Sequence, residues 1–179
     1  CDYYCISLGI PHYITQLSED IDGTLTIDRD TYLLELEAVK MIRLLEENNI
    51  HVSLVSGNSI LIVAGLARYL GARGPSIGEN GCMVYYKGVI HRLCSGETRQ
   101  AAEFVKEELG LTPSWQNPYR EYDLAFVKKG GNKEELRKLV KQASQILERY
   151  GYRDLKAASS GYALHIMPKE ADKGRGLLY

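Results

Sequence analysis

Asp20-Ile21-Asp22-Gly23-Thr24-Leu25-Thr26 is the stretch on which the reading of this chain turns. A short, imperfectly alternating run, Tyr13 to Ser18, leads into it and predicts a strand, with Gly23 letting the chain turn just beyond the two aspartates. In extended chain the side chains at i and i+2 point the same way, so Asp20 and Asp22 converge on one small volume. Carboxylates held that close repel and attract a cation. Mg²⁺, a hard ion bound by carboxylate, carbonyl and water oxygens, relieves that repulsion and holds a phosphate at the same time. An EF-hand is excluded, because Gly23 falls at the fourth loop position instead of the sixth and Thr31 stands where the twelfth-position glutamate belongs. Alone, the segment also reads as a solvated Asp-Gly turn, so its surroundings must decide.

Outward from this segment, strands alternate with helices. Leu34 to Glu47 carries apolar residues at helical spacing and is closed by Asn48-Asn49. His51 to Ser56 is a compact strand broken by Gly57-Asn58, Ile60 to Leu70 is helical again, and Pro75 to Gly78 is a third short strand. Such alternation indicates an α/β fold with a parallel sheet, in which ligands gather beyond the carboxyl ends of the strands. Asp20 and Ser56 both stand at such ends. Cys82 to Tyr86 and Val89 to Leu93 then flank Lys87-Gly88 as a hairpin and interrupt the parallel pattern. Glu97 to Leu109 and Lys133 to Tyr150 predict helices, and Tyr122 to Lys129, Leu155 to Ala158 and Tyr162 to Met167 predict strands. This block reads as a second α/β unit inserted into the first, with a core over residues 1–93, a cap over 94–168 and a return to the core at 169–179.

Of 179 residues, 22 are Lys or Arg and 23 Asp or Glu, for a formal net charge of −1, and 45% are hydrophobic. These are globular values that exclude a disordered or collagen-like chain. A near-neutral chain supplies no field for binding a phosphate backbone by counterion release, so nucleic acid is not an expected partner. The longest apolar run, Ile60 to Ala67, is far short of the ~20 residues of a membrane span, and the first basic residue is Arg29, which leaves no signal-peptide pattern. A cytoplasmic protein without a membrane partner is expected. A homodimer is compatible with the sequence. Cys1, Cys5, Cys82 and Cys94 form no CxxC pair and no Cys/His metal spacing, so reduced thiols are expected.

Two further groups give the aspartates a context: Ser56 with Gly57-Asn58, and Lys173 with Gly174. Singly, Ser56 reads as a helix N-cap and Lys173 as a surface lysine. Together with two carboxylates and a cation, each at a strand-to-helix junction, a hydroxyl and an ammonium make a site for a phosphoryl group. The ordered set resembles the haloacid dehalogenase superfamily of phosphohydrolases, whose first motif is DxDGT, whose second is a Ser or Thr closing the next strand, and whose third is a Lys. Val55-Ser56-Gly57-Asn58 and Asp172-Lys173-Gly174-Arg175-Gly176-Leu177 resemble the second and third motifs of the Cof-like branch. With Gly78-Glu79-Asn80-Gly81 and the small cap, the run is most similar to the archaeal-type phosphoglycolate phosphatases, over roughly residues 13 to 179.

The resemblance implies a Rossmann-like core with an inserted cap, and a Mg²⁺-dependent phosphatase of a small phosphorylated metabolite, 2-phosphoglycolate above all. It makes Asp20 the nucleophile, Asp22 the acid and base, Ser56 with Gly57 and Asn58 the phosphate holders, and Lys173 the charge-neutralising group. Mg²⁺ is then bound by the Asp20 carboxylate and the Asp22 backbone carbonyl. Arg120 is a candidate partner for a substrate carboxylate, beside its ordinary reading as a solvated surface residue. Two features depart from the family pattern: Glu19 sits in a strand that is usually more apolar, and the acidic fourth motif expected after Lys173 is not among the six residues that follow it. A C-terminally incomplete core is therefore expected. The alternatives are a sugar-phosphate phosphatase of the same branch, or a non-catalytic phosphate-binding module if the protein ends at Tyr179.

Overall fold

The computed structural model describes residues 14–28, 31–127 and 133–179. Cys1, Cys5, Tyr13 and Lys128-Lys129 lie outside the described residues. The first sheet contains β1 (Gln16–Asp20), β2 (His51–Val55), β3 (Ser76–Gly78), β4 (Met83–Tyr86) and β5 (Val89–Arg92), in that spatial order. β1, β2 and β3 are parallel, joined by helices α1 (Leu36–Glu47) and α2 (Ile60–Leu70), whereas β4 and β5 form the antiparallel hairpin expected about Lys87-Gly88. Ile42 of α1 and Val63, Ala67 and Leu70 of α2 pack with Ile21, Leu25, Val52 and Leu54 into one apolar cluster. Val55, Ile77 and Val84 form a second cluster.

The first strand is displaced from its expected position. It spans Gln16–Asp20 because Asp20 still pairs with Val55 of β2; the chain then leaves the ladder into a turn over Ile21–Leu25, with Gly23 at φ 83°. Gln16, Leu17 and Ser18 are exposed and Glu19 is half-buried, and Glu19 is not without a partner. The cost of an unpaired buried glutamate therefore does not arise.

The second sheet is antiparallel throughout, in the order β6 (Thr112–Pro113), β7 (Leu124–Val127), β9 (Leu164–Pro168), β8 (Leu155–Ser159). Two helices, α3 (Thr98–Leu109) and α4 (Lys133–Arg149), accompany it. Phe126, Leu124, Leu164 and Ile166 from its strands and Ala101, Val105, Ala143 and Leu147 from its helices make an apolar core of its own. A fully buried side chain of this size contributes roughly 1.5–3 kcal/mol, so this unit has its own hydrophobic basis. The chain then returns to the first sheet in α5 (Lys173–Leu177).

One expectation is corrected. Cys82 and Cys94 form a disulfide with Cα atoms 4.9 Å apart. The reason is the hairpin: Met83 faces Arg92 in its register and Leu93 N–H donates to the Cys82 carbonyl, so the residues flanking the hairpin are brought together. Among the described residues, no helix is long and apolar enough to cross a membrane.

Candidate active site

Asp20 is the last residue of β1, and its Oδ1 accepts a hydrogen bond from the Ile21 N–H at 3.0 Å. From there the chain makes a tight turn over Ile21–Leu25, closed by Thr26 N–H to the Ile21 carbonyl at 3.1 Å, while the Thr26 hydroxyl accepts from Gly23 N–H at 2.8 Å. Ile21 and Leu25 are buried in the core, which anchors the turn, while Asp22 is half-buried. Asp22 thus leaves the strand in a turn, not in continued extended chain, and the two carboxylates face different partners.

Lys173, at the start of α5, donates its Nζ to both oxygens of Asp20, at 2.9 and 3.0 Å, across 153 positions of sequence. Both side chains are more than a third exposed, so this pair is open to a ligand. Asp22 Oδ2 instead accepts from the Ser56 hydroxyl at 3.3 Å and from Asn58 Nδ2 at 3.0 Å. Ser56 closes β2 and is fully buried, and its Oγ also accepts from the backbone N–H and the Nδ2 of Asn58. The structure thus joins Lys173 to Asp20, and Ser56 and Asn58 to Asp22, as two sets of contacts. The Gly57 carbonyl faces the second unit and accepts from Arg120 Nη1 at 2.8 Å.

Arg120 fits neither sequence reading. It is buried, with Nη1 on the Gly57 and Asp123 carbonyls and Nη2 on Gln116 Oε1, so its guanidinium is engaged by the protein and not presented to a substrate carboxylate. It belongs to a polar junction that the sequence did not reveal. Asp123 accepts from Asn80 Nδ2 at 2.7 Å, pairs with Arg120 at 3.3 Å and meets His165 Nδ1 at 2.8 Å. Glu79, fully buried in the first unit, accepts the backbone N–H groups of Glu121, Tyr122 and Asp123. Burial pushes the Glu79 carboxyl up despite those hydrogen bonds, which oppose the shift, and the Asp123 carboxylate adds to it.

Gly81, in the same Gly78-Glu79-Asn80-Gly81 run, explains how Lys173 is set. A Cβ there would lie 1.9 Å from the Asp172 carbonyl oxygen, and its φ is +94°. The chain entering α5 thus rests directly on a backbone that only glycine provides. The one signal in the sequence for this junction was that run itself.

Asp20 and Asp22 are hard oxygen donors, and Mg²⁺ typically takes one or two carboxylates with substrate and water oxygens completing its shell. The pair and the partial exposure of Asp20 fit such an ion. Among the described residues, no group of three or more His, Cys, Asp or Glu side chains could hold one. A hollow of about 450 Å³ lies at the opposite end of the parallel strands, lined by Arg43, Glu46, Glu47, Asn49, Gly71 and Arg73, away from this chemistry.

Comparison with known proteins agrees with the geometry. Residues 17–109 match the family described as haloacid dehalogenase-like hydrolase. A phosphoglycolate phosphatase from Metallosphaera sedula is 39% identical over 92% of this chain and 69% of that protein. One from Aeropyrum pernix is 41% identical over 94% and 68%. The chain thus spans about two thirds of their length. The crystal structure of Thermoplasma acidophilum 0175 superposes with a TM-score of 0.74 at 30% identity, covering 93% of this chain and 70% of that one. A haloacid dehalogenase-like hydrolase from Bacteroides thetaiotaomicron, at 16% identity, 92% and 74% coverage and a TM-score of 0.69, shares the fold.

Proposed function

Because the chain belongs to the haloacid dehalogenase-like hydrolases and is a phosphatase of that family, we propose that it hydrolyses 2-phosphoglycolate to glycolate and phosphate at Asp20. The observation that carries this reading is the convergence of Lys173 on the Asp20 carboxylate and of Ser56 and Asn58 on Asp22. The substrate rests on the relatives named phosphoglycolate phosphatase.

In this reading an Asp20 oxygen attacks phosphorus, forming an aspartyl-phosphate as the bond to the leaving alkoxide breaks. Asp22, poised beside it, gives its proton to that alkoxide, releasing the alcohol. The Asp22 carboxylate then takes a proton from water, whose oxygen attacks phosphorus and breaks the bond to Asp20, regenerating the Asp20 carboxylate and the protonated Asp22 and releasing phosphate. Lys173, in contact with Asp20, offsets negative charge on the nucleophile and the transferring group. Ser56, Gly57 and Asn58 at the end of β2 border the phosphoryl position. Mg²⁺, which the Asp20 carboxylate and the Asp22 backbone carbonyl would hold, supplies compensation for the charge on the phosphoryl oxygens. Residues 94–168 act as the cap that shields the site and selects the organic part of a small metabolite, in a cytoplasmic enzyme.

Phosphate release from 2-phosphoglycolate, glucose 6-phosphate and p-nitrophenyl phosphate, with Mg²⁺ and with chelator, tests the proposal. The expected result is Mg²⁺-dependent turnover with the highest kcat/KM on 2-phosphoglycolate, no turnover by Asp20→Asn, and a roughly 10²–10⁴-fold loss in Asp22→Asn. Activity surviving in Asp20→Asn refutes the nucleophile, and preference for the sugar phosphate refutes the substrate.

A further inference from the structure

Asn58 and Gln116 meet across the two units. Gln116 lies in the loop between β6 and β7, and its Nε2 donates to Asn58 Oδ1 at 2.8 Å. Its Oε1 is already committed, accepting from the Ser59 backbone N–H at 3.0 Å and from Arg120 Nη2 at 3.0 Å. Only the NH₂ end of Gln116 is then free to face Asn58. An amide that must accept at Oδ1 has its two donors on the other side, and there Nδ2 reaches both Asp22 Oδ2, at 3.0 Å, and Ser56 Oγ, at 2.9 Å. If the Asn58 amide flipped, its oxygen would face the Asp22 carboxylate and lose both bonds. Arg120 completes the chain of constraints, since it is held by the Gly57 and Asp123 carbonyls and cannot swing away from Gln116 without leaving buried donors unpaired.

We propose that Gln116 is a positioning residue for the hydrolytic reaction: seated on Asn58, it fixes the orientation of the Asn58 amide and through it the Asp22 carboxylate, so the acid–base group is set only when the second unit is docked. The inference rests on the phosphatase reading above and adds to it a residue of the cap loop that touches no reacting atom. Withdrawal of the loop removes the donor to Asn58 Oδ1 and frees the amide to rotate. Docking and chemical competence are thereby coupled through one side chain.

The test is a double-mutant cycle on the purified protein with p-nitrophenyl phosphate, together with Gln116→Glu. Gln116→Glu keeps an oxygen for Ser59 N–H and Arg120 but lacks the Nε2 donor. Gln116→Ala and Gln116→Glu are each expected to lower kcat about tenfold, with KM within about twofold, on the scale of one lost orienting hydrogen bond. In an Asn58→Ala background, Gln116→Ala is expected to change kcat less than about twofold, because its route to Asp22 is already gone. An additive tenfold loss in that background overturns the proposal, as does a Gln116→Glu enzyme with wild-type kcat, which a purely structural role predicts. A readout independent of turnover is the Asn58 side-chain NH₂ signal in ¹⁵N-labelled protein, identified by its loss in Asn58→Asp. It shifts in Gln116→Glu if the contact holds, and an unmoved signal refutes the contact. A wild type that releases no phosphate refutes the phosphatase reading and the kinetic role with it, whatever the NH₂ signal shows.

Discussion

Replacement of Glu46 by Gln is expected to destabilise the protein by about 2–3 kcal/mol at neutral pH, and by roughly half as much at pH 3. Glu46 closes α1 from within: its Oε1 accepts from the backbone N–H of Val52 at 2.7 Å and of Arg73 at 2.6 Å, and its Oε2 contacts Arg73 Nε at 2.8 Å and His51 Nδ1 at 3.0 Å. It therefore ties the first helix to the second strand and to the loop before the third. Burial pushes its carboxyl up, but the two backbone N–H groups and the side chains of His51 and Arg73 outweigh it and hold the group at about 2 instead of 4.5. At about 1.4 kcal/mol per pH unit, that interval corresponds to at most about 3.5 kcal/mol. Arg73 and His51 are half-exposed while Glu46 is 6% exposed, so solvent screening of those two partners favours the lower part of the range. The sign follows from the depressed value. The stabilisation is complete above 4.5, where the unfolded carboxyl is also ionised, and it is lost as pH falls towards 2, where the folded carboxylate takes up its proton. Urea denaturation of wild type and Glu46→Gln from pH 7 to pH 3 measures the difference directly. A deficit below about 0.5 kcal/mol at pH 7, or one that stays constant across the range, refutes the reasoning.

Gly81→Ala is expected to cost at least about 1–2 kcal/mol from its left-handed backbone alone, and more from the contact with the Asp172 carbonyl 1.9 Å from the new Cβ. Because relief requires moving the chain that carries Lys173, kcat is expected to fall more than tenfold while the far-UV circular dichroism stays native; a stable, fully active variant refutes the link. Glu79→Ala strips the acceptor from three backbone N–H groups, at about 1–3 kcal/mol for each left buried and unpaired. Glu79→Gln retains an acceptor oxygen and sheds a charge that burial already disfavours, so it is expected to cost less than about 1 kcal/mol in denaturation at pH 7. Equal costs for the two substitutions refute this account.

Most elements of both sheets were legible because their signals are local, whereas the two-residue β6 (Thr112–Pro113) carries no such signal and was not predicted. The helix at Ile60–Leu70 falls where its apolar spacing places it, and the hairpin follows from Lys87-Gly88 between two short apolar runs. The disulfide was latent in that same hairpin, since any register centred on Lys87-Gly88 sets Cys82 beside Leu93 and close to Cys94; Cys spacing alone conceals it. Asp20, Asp22, Ser56 and Lys173 were legible as a motif set, yet their division into two pairs was not, because the turn after Asp20 depends on burial of Ile21 and Leu25 under α1 and α2. Of the remainder, Glu79 and Asn80 lie in the Gly78-Glu79-Asn80-Gly81 run, whose partners the sequence does not name, and Gln116, Asp123 and His165 have no local signature. Each meets its partner across 42 to 58 positions, and which atoms meet is set by how the two sheets pack against each other.

That docking surface divides by chemistry in a way that bears on how the second unit can move. At the two connecting segments, Cys82, Cys94, Met167 and Ala171 pack into an apolar cluster with Tyr122 and Ala158, and the disulfide fixes the first segment to the base of the hairpin. Towards Asp22 the contacts are Gln116 with Asn58, Arg120 with Gly57, and Gln116 with Ser59, all of them hydrogen bonds. Hydrogen bonds exchange for water at a net cost of only about 1 kcal/mol each, whereas separating apolar surface costs about 25 cal/mol per Å² with nothing returned by solvent. Any opening of the second unit would therefore cost least on the side of Asp22 and most at the connections, so the apolar, cross-linked side would serve as the hinge and the polar side as the mouth. A buried ion pair such as Arg120 with Asp123 is weak evidence for stability in itself. At this mouth its consequence is geometric: the Nη1 of Arg120 is held by the Gly57 and Asp123 carbonyls and its Nη2 by Gln116 Oε1, while Gln116 Nε2 is held by Asn58 Oδ1.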